Sequence, residues 1–352
     1  MRAAVRERIL VIRRDNIGDL VCTTPLFEAL RRRRPDAHIA ALVNDYNAGV
    51  LAGNPHLDAV HVYTKTKHRA PGASWWGTLL ASHRLLTTLR SPAFDHVILA
   101  KSGFDQHGLG LARRMRPRSV IGFAPADGGE AKGISVALPP PANDELHETE
   151  AILQLGAPLG VEGPPGALRV YPDAARVAQW RARFPAVRKH WVGLHISARI
   201  AGRVWAVEKF VELAKILSHD PALGIVLLWS PGAASDPRHP GDDERAAAIA
   251  TRLGPGVALL PAKTESLADL IAVLSLCHSF IGPDGGAMHL AAASGLPVVA
   301  LIENLPYKKR HWHPWKVPHE MVSPQTGNIA NIADIPATTI AAAWNALTGR
   351  TQ

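Results

Sequence analysis

Runs of four to six apolar residues alternate along this chain with amphipathic stretches of helical length, the pattern of parallel strands joined by crossover helices. In the first half the runs predict strands at 9–13, 39–43, 59–62, 96–100 and 119–122, with helices at about 25–34, 75–89 and 108–114. In the second half they predict strands at 191–196, 224–229, 257–260, 279–282 and 298–302. The helices there fall at 207–217, 243–253 and 267–274, followed by one from Ala287 and a last one at 336–347. Between the halves, Pro139, Pro140, Pro141, Pro158, Pro164, Pro165 and Pro172 interrupt both periodicities, as expected where one domain hands over to the next. The fold class is therefore α/β, with two doubly wound, Rossmann-like domains. They are expected over 1–165 and 166–335, with the closing helix within 336–352 crossing back to cover the first domain.

A length of 352 residues agrees with two cores, since one core stops growing at roughly 250 to 300 residues. The net charge of +9 favours anionic partners such as phosphates, acidic glycolipids or nucleic acid. Nucleic acid is set aside, because the chain holds no aromatic-basic strand motif, zinc-finger spacing or helix-turn-helix pattern that would give the charge a reading geometry. Cys22 and Cys277 each lie in an apolar stretch and read as buried free thiols, which fits a reducing compartment. The apolar run from Ile9 to Ile12 is too short for a signal-peptide core or a spanning helix. A cytoplasmic protein is expected, with peripheral contact to the cytoplasmic face of the inner membrane.

Open α/β sheets bind ligands beyond the carboxyl ends of their strands, and three such places stand out. After the first strand comes Arg13-Arg14-Asp15-Asn16-Ile17-Gly18-Asp19, where Gly18 permits a tight turn and Asp19 sits near a helix start. Asp19 is read either as a helix cap or as a general base that takes a proton from a hydroxyl. The stretch from His195 to Trp205 carries Arg199 and Arg203 on a glycine-containing loop, read either as solvated arginines or as cations facing a diphosphate. The third place, Gly282-Pro283-Asp284-Gly285-Gly286-Ala287-Met288-His289, leaves backbone N–H groups at a helix N-terminus open to a phosphate. Asp284 would brace the loop or hold a sugar hydroxyl. Asp242, Asp243 and Glu244 open a helix, and one of them could bind ribose hydroxyls. Lys65, Lys67, His68 and Arg69 precede Trp75 and Trp76, a basic loop meeting an aromatic helix start, which suits either solvent or an anionic headgroup. His311 and His313 lack the carboxylate or cysteine spacing of a metal site, so no metal and no cofactor are expected.

These stretches resemble glycosyltransferase family 9, whose members include the lipopolysaccharide core heptosyltransferases. The resemblance rests on Ile9-Leu10-Val11-Ile12-Arg13-Arg14-Asp15-Asn16-Ile17-Gly18-Asp19-Leu20 with Thr23-Thr24-Pro25. It continues through Gly193-Leu194-His195, Arg203-Val204-Trp205 and the run from Asp284 to Ala293, in order and spacing. It implies the GT-B architecture, two Rossmann-like domains facing a central cleft, with the first binding the acceptor and the second the nucleotide-sugar. It also implies inverting, metal-independent transfer of heptose from ADP-heptose to a lipopolysaccharide core or related envelope acceptor, an anionic glycolipid, with Asp19 as the base. Under this reading the catalytic pair is Asp19 and Arg203. The donor set is His195, Ser197, Arg199, Asp242, Asp284, Gly285, Gly286 and His289, and the acceptor set is Arg14, Asn16, Lys65, Lys67 and Arg69. Two departures mark the chain: Gly285 stands where the family pattern has threonine, and Arg203 where it commonly has lysine. The open alternatives are the same fold with another nucleotide-sugar or a protein or capsular acceptor, and a non-catalytic carbohydrate-binding relative. A dinucleotide oxidoreductase is disfavoured, because no Gly-x-Gly-x-x-Gly turn follows the first strand.

Overall fold

An uninterrupted apolar run is stable as a strand only where both faces of its sheet are covered, and helices flanking a parallel sheet supply that cover. In β1 (Arg8–Ile12) the residues Ile9, Leu10, Val11 and Ile12 are all buried. The computed structural model describes residues 6–63, 75–142, 145–185, 188–236, 240–325 and 329–349, with the backbone alone for 75–82. The chain divides into two compact units, Met1–Ala167 and Leu168–Gln352.

The first unit continues with α1 (Ile17–Arg33), β2 (His38–Asn44), β3 (Ala59–Tyr63), α2 (Trp75–Arg90) and β4 (His96–Leu99). It closes with α3 (Gln106–Met115), β5 (Ser119–Phe123), β6 (Val136–Leu138) and α4 (Glu148–Gln154). Its strands lie in the order β3-β2-β1-β4-β5-β6, every pair parallel. On one face Leu10, Ile12, Leu42, Val97 and Leu99 pack with Leu109, Ala112 and Met115 of α3. The other face carries α1, against which α4 packs.

The helix expected from about Pro25 begins at Ile17, eight residues earlier, with Asn16 as its N-cap. A proline favours the first turn of a helix, because its ring removes a ladder hydrogen bond from a helix interior. Here the freed carbonyl is that of Val21, and it accepts the Thr24 hydroxyl at 2.7 Å. The Thr23 hydroxyl likewise donates to the Asp19 carbonyl at 2.8 Å.

The second unit comprises α5 (Ala174–Arg181), β7 (His190–His195), α6 (Val207–Leu217), β8 (Leu223–Trp229), α7 (Asp243–Leu253) and β9 (Leu259–Lys263). These are followed by α8 (Leu267–Leu274), β10 (Ser279–Pro283), α9 (Gly286–Ala293), β11 (Val298–Leu301), α10 (Pro306–His311), β12 (His319–Val322) and α11 (Ala337–Thr348). The strand order read from β9 is β9-β8-β7-β10-β11-β12, which repeats the order of the first unit. The closing helix, sent back to the first domain by the sequence reading, spends its buried face at home. In α11, Ile340, Ala341 and Trp344 join Phe210, Leu213 and Leu217 of α6 and Val299 and Leu301 of β11. The Trp344 indole N–H donates to the Ser279 hydroxyl at 2.9 Å. β9 starts two residues later than expected, and β6, β12, α4, α5 and α10 are short elements that periodicity did not reveal.

The shared strand order puts a topological switch point between β1 and β4 in the first unit and between β7 and β10 in the second. Ligands of such sheets bind outside the carboxyl ends of the strands at that point.

Candidate active site

In the first unit the switch point is spanned by one side chain. Arg13, the residue after β1, donates from Nη1 to the carbonyl of Ala100, the residue after β4, at 2.5 Å. Its Nη2 lies 2.7 Å from Asp19 Oδ1 and 2.7 Å from Glu148 Oε1, and Asp15 Oδ2 is 3.4 Å from its Nε. Burial alone would disfavour charge on this guanidinium, but Glu148, Asp19 and Asp15 more than offset that, and it stays protonated. Asp19 is the helix cap that one of its two readings called for. Its Oδ2 accepts the backbone N–H of Asn16 at 2.9 Å, as a cap, while the side chain keeps 14% of its surface in solvent. Burial lifts the Asp15 carboxyl above the usual range against the pull of Arg13. Arg14 stacks over the Tyr63 ring at 5.8 Å and sits 3.7 Å from Asp105, the N-cap of α3. Asn16 is exposed beside Asp19. Lys65, Lys67 and Arg69 lie outside the described residues.

In the second unit Gly285 and Gly286 turn the chain from β10 into α9, and both are partly exposed. Around this turn the charges are already matched. Arg203 donates from Nε to Glu303 at 2.9 Å and from Nη1 to the Asp284 carbonyl at 3.1 Å, with the Asp284 carboxylate 3.0 Å away. Lys308 closes the set with a hydrogen bond to the same Glu303 oxygen. Asp284 thus braces Arg203, one of the two roles its charge allowed. Burial would raise the Glu303 carboxyl, yet hydrogen bonds from Lys308 and Arg203 outweigh that and hold it below the usual range. Arg199 is exposed on the same loop.

Four donor-set residues have neighbours within the second unit. Asp242, at the N-cap of α7, accepts from Arg245 at 2.8 Å, and Arg245 also donates to the carbonyls of Ile196 and Trp205. Ser197 accepts the backbone N–H of Ser230 at 2.8 Å, tying the ends of β7 and β8. His289 is only 2% exposed and meets Trp312 edge-on at 5.8 Å. His195 stacks on Phe280 at 6.2 Å. Burial pushes its imidazole down to about 4, Asp242 opposing and Arg245 adding to the drop, so near neutral pH it carries no charge for a phosphate. Near Asp242, Asp243 accepts from the Trp229 indole and from Lys263, and Glu244 from the backbone of Ala234.

Sequence reading missed Glu148, Arg245, Glu303 and Lys308. Glu303 and Lys308 follow β11, a strand end like those searched, but no glycine turn drew attention there. Arg245 stands three residues after Asp242, a spacing that brings helical side chains together. Glu148 opens a helix that was not recognised. Among the described residues no group of three or more His, Cys, Asp or Glu could hold a metal ion.

The family model of glycosyltransferase family 9 (heptosyltransferase) matches residues 83–334. This chain belongs to glycosyltransferase family 9. As a glycosyltransferase of that family it is 25% identical over 303 residues to lipopolysaccharide heptosyltransferase 3 of Escherichia coli strain K12, covering 85% of this chain and 82% of the relative. The crystal structure of a family 9 glycosyltransferase from Veillonella parvula DSM 2008 superposes with a TM-score of 0.81 at 17% identity, covering 98% of each chain. The structure of E. coli heptosyltransferase WaaC with ADP-2-deoxy-2-fluoro heptose gives 0.73 at 17% identity, covering 97% of this chain and 99% of that one. These likenesses place both units in the GT-B fold class. The glycine at 285, where the resemblance leads one to expect threonine, is not forced by crowding: a Cβ built there meets nothing within 4 Å.

Proposed function

We propose that this glycosyltransferase moves heptose from ADP-heptose to a hydroxyl of a lipopolysaccharide core or related envelope glycolipid, by a single displacement with inversion and without a metal ion. The observation that carries the reading is the Asp19 carboxylate at the switch point of the first unit, fixed through both oxygens yet still reached by solvent. In the proposed reaction the acceptor oxygen attacks the anomeric carbon as Asp19 takes its proton, and the bond to the ADP oxygen breaks with its electron pair leaving on the diphosphate. The backbone N–H groups at the start of α9 and the cations Arg203 and Lys308 offer electrostatic support where that negative charge grows. Because Arg203 is shared with Asp284 and Glu303, its part is to hold the turn and lend a fraction of its charge. Arg14 and Asn16 flank Asp19 and are proposed to orient the acceptor, with Lys65, Lys67 and Arg69 proposed to meet its anionic groups. Heptosyltransferase relatives and the WaaC neighbour solved with a fluorinated ADP-heptose support the choice of donor. No helix among the described residues is long and apolar enough to cross a membrane, and contact with the inner membrane is proposed to be peripheral.

The test is incubation of the purified protein with ADP-heptose, alongside other nucleotide-sugars, and truncated lipopolysaccharides, with product mass and anomeric configuration read out. Heptose transfer with inversion, undiminished by chelator, is expected. Asp19→Asn should lower kcat about 10²- to 10⁴-fold at little cost in donor affinity. A folded Asp19→Asn variant with near-parental transfer overturns the base assignment, and transfer of only a non-heptose sugar overturns the donor.

A further inference from the structure

Glu148 is the first residue of α4, its side chain has no solvent exposure, and no substrate can reach it there. Yet it shares a single nitrogen, Arg13 Nη2, with Asp19, each carboxylate at 2.7 Å. A buried cation with a buried carboxylate is a costly way to join β1 to α4, because apolar residues of similar volume usually serve packing as well or better. The pair places a positive and a negative charge, as apolar residues cannot, beside the third member, Asp19, which is the most exposed of the trio.

We propose that Arg13 and Glu148 are positioning residues for Asp19, the arginine fixing the direction of its carboxylate and Glu148 drawing off part of the guanidinium charge so that Asp19 can still accept a proton. A carboxylate bonded to an unshared guanidinium is a poor base, since the opposite charge favours its ionised form. Sharing the guanidinium restores basicity without releasing the orientation. This rests on the reading of Asp19 as the base.

Other charges face the same spot. From the β1–α1 loop come Asp15, against Arg13, and Arg14, which pairs with Asp105. Lys101 and Asp105, from the segment after β4, act on Asp15. Along α1 lies Cys22, whose thiol burial and the charges of Glu148 and Asp19 keep protonated. Beside Glu148 is His147, the N-cap of α4. None of these shares the Nη2 contact.

Two variants move the charge balance in opposite directions. Glu148→Gln keeps shape and removes the competing carboxylate, so the acid limb of kcat/KM should move down by about one pH unit and kcat should fall about tenfold. Arg13→Met combined with Glu148→Met replaces the buried pair by apolar side chains, which cores tolerate, and the acid limb should move up by about one unit. Carboxyl-13C aspartate spectra, with the Asp19 resonance identified by its loss in Asp19→Asn, should show its titration midpoint moving the same two ways without any substrate. Midpoints that stay put, or move in one direction in both variants, overturn the proposal and leave the pair a purely structural tie. If the midpoints move as expected while Asp19→Asn retains transfer, the coupling stands and the reading of Asp19 as the base fails.

Discussion

His195 illustrates how burial decides what a side chain can do. In the fold its imidazole titrates near 4, whereas an unfolded chain takes up that proton near the ordinary value of about 6.5. The folded value is depressed, so the associated stability is present above about pH 6.5 and is lost as the pH falls toward 4. The loss is on the order of 3 kcal/mol when complete. His195→Asn should therefore show a smaller drop in melting temperature between pH 7 and pH 4.5 than the parent; equal drops would assign the acid sensitivity to other groups. At this scale the sequence marked Asp19, Arg203 and Asp284 because each follows a strand end near a glycine. It could not show that Arg203 is matched by Glu303, or that Asp242 is held by Arg245, since those partners are distant in sequence or stood outside the strand-end search. Charge pairing depends on contacts, and motifs carry only the half of each pair that lies beside a turn.

Among the helices that the periodic pattern predicts, α1 is the one whose start lies furthest from the expected position, on the far side of Pro25. Its ring signals a first turn, but the preceding turn, from Ile17, is capped at Asn16, and the Thr24 hydroxyl satisfies the Val21 carbonyl that a proline leaves open. Thr24→Val should cost about 1 kcal/mol in denaturant unfolding while Pro25 is present. Combined with Pro25→Ala, which returns a backbone N–H to that carbonyl, the cost of removing the hydroxyl should shrink, and a double-mutant cycle measures the difference. Strict additivity would mean the hydroxyl serves only its other contacts. Long elements with clear period were legible to within a few residues: α6 and α7 fall where the pattern put them. Short ones such as β6, β12 and α4 were not, because three to seven residues hold too few repeats to stand above loop composition.

Across the whole molecule, two units repeat one strand order, and each has its own core. The alternation of runs made the two-sheet architecture readable, whereas the destination of the closing helix was not, since an apolar face does not name its partner. Trp344 of α11 is 3% exposed within the second unit's core. Trp344→Ala should cost about 3 to 5 kcal/mol. Because seven of the nine tryptophans, all but Trp75 and Trp76, lie beyond residue 167, the indole fluorescence transition should move to lower denaturant. Far-ultraviolet circular dichroism, which follows both units, should then become biphasic. A single coincident shift in both signals would show that the two cores unfold as one.

Cys22 and Cys277 are both buried, and burial pushes the Cys277 thiol up to about 12 and Cys22 well above its ordinary value. Alkylation and oxidation proceed through the thiolate, so the native chain should be silent toward maleimides and mild oxidants. A fluorophore or spin label attached through a newly introduced surface cysteine should therefore report from one address.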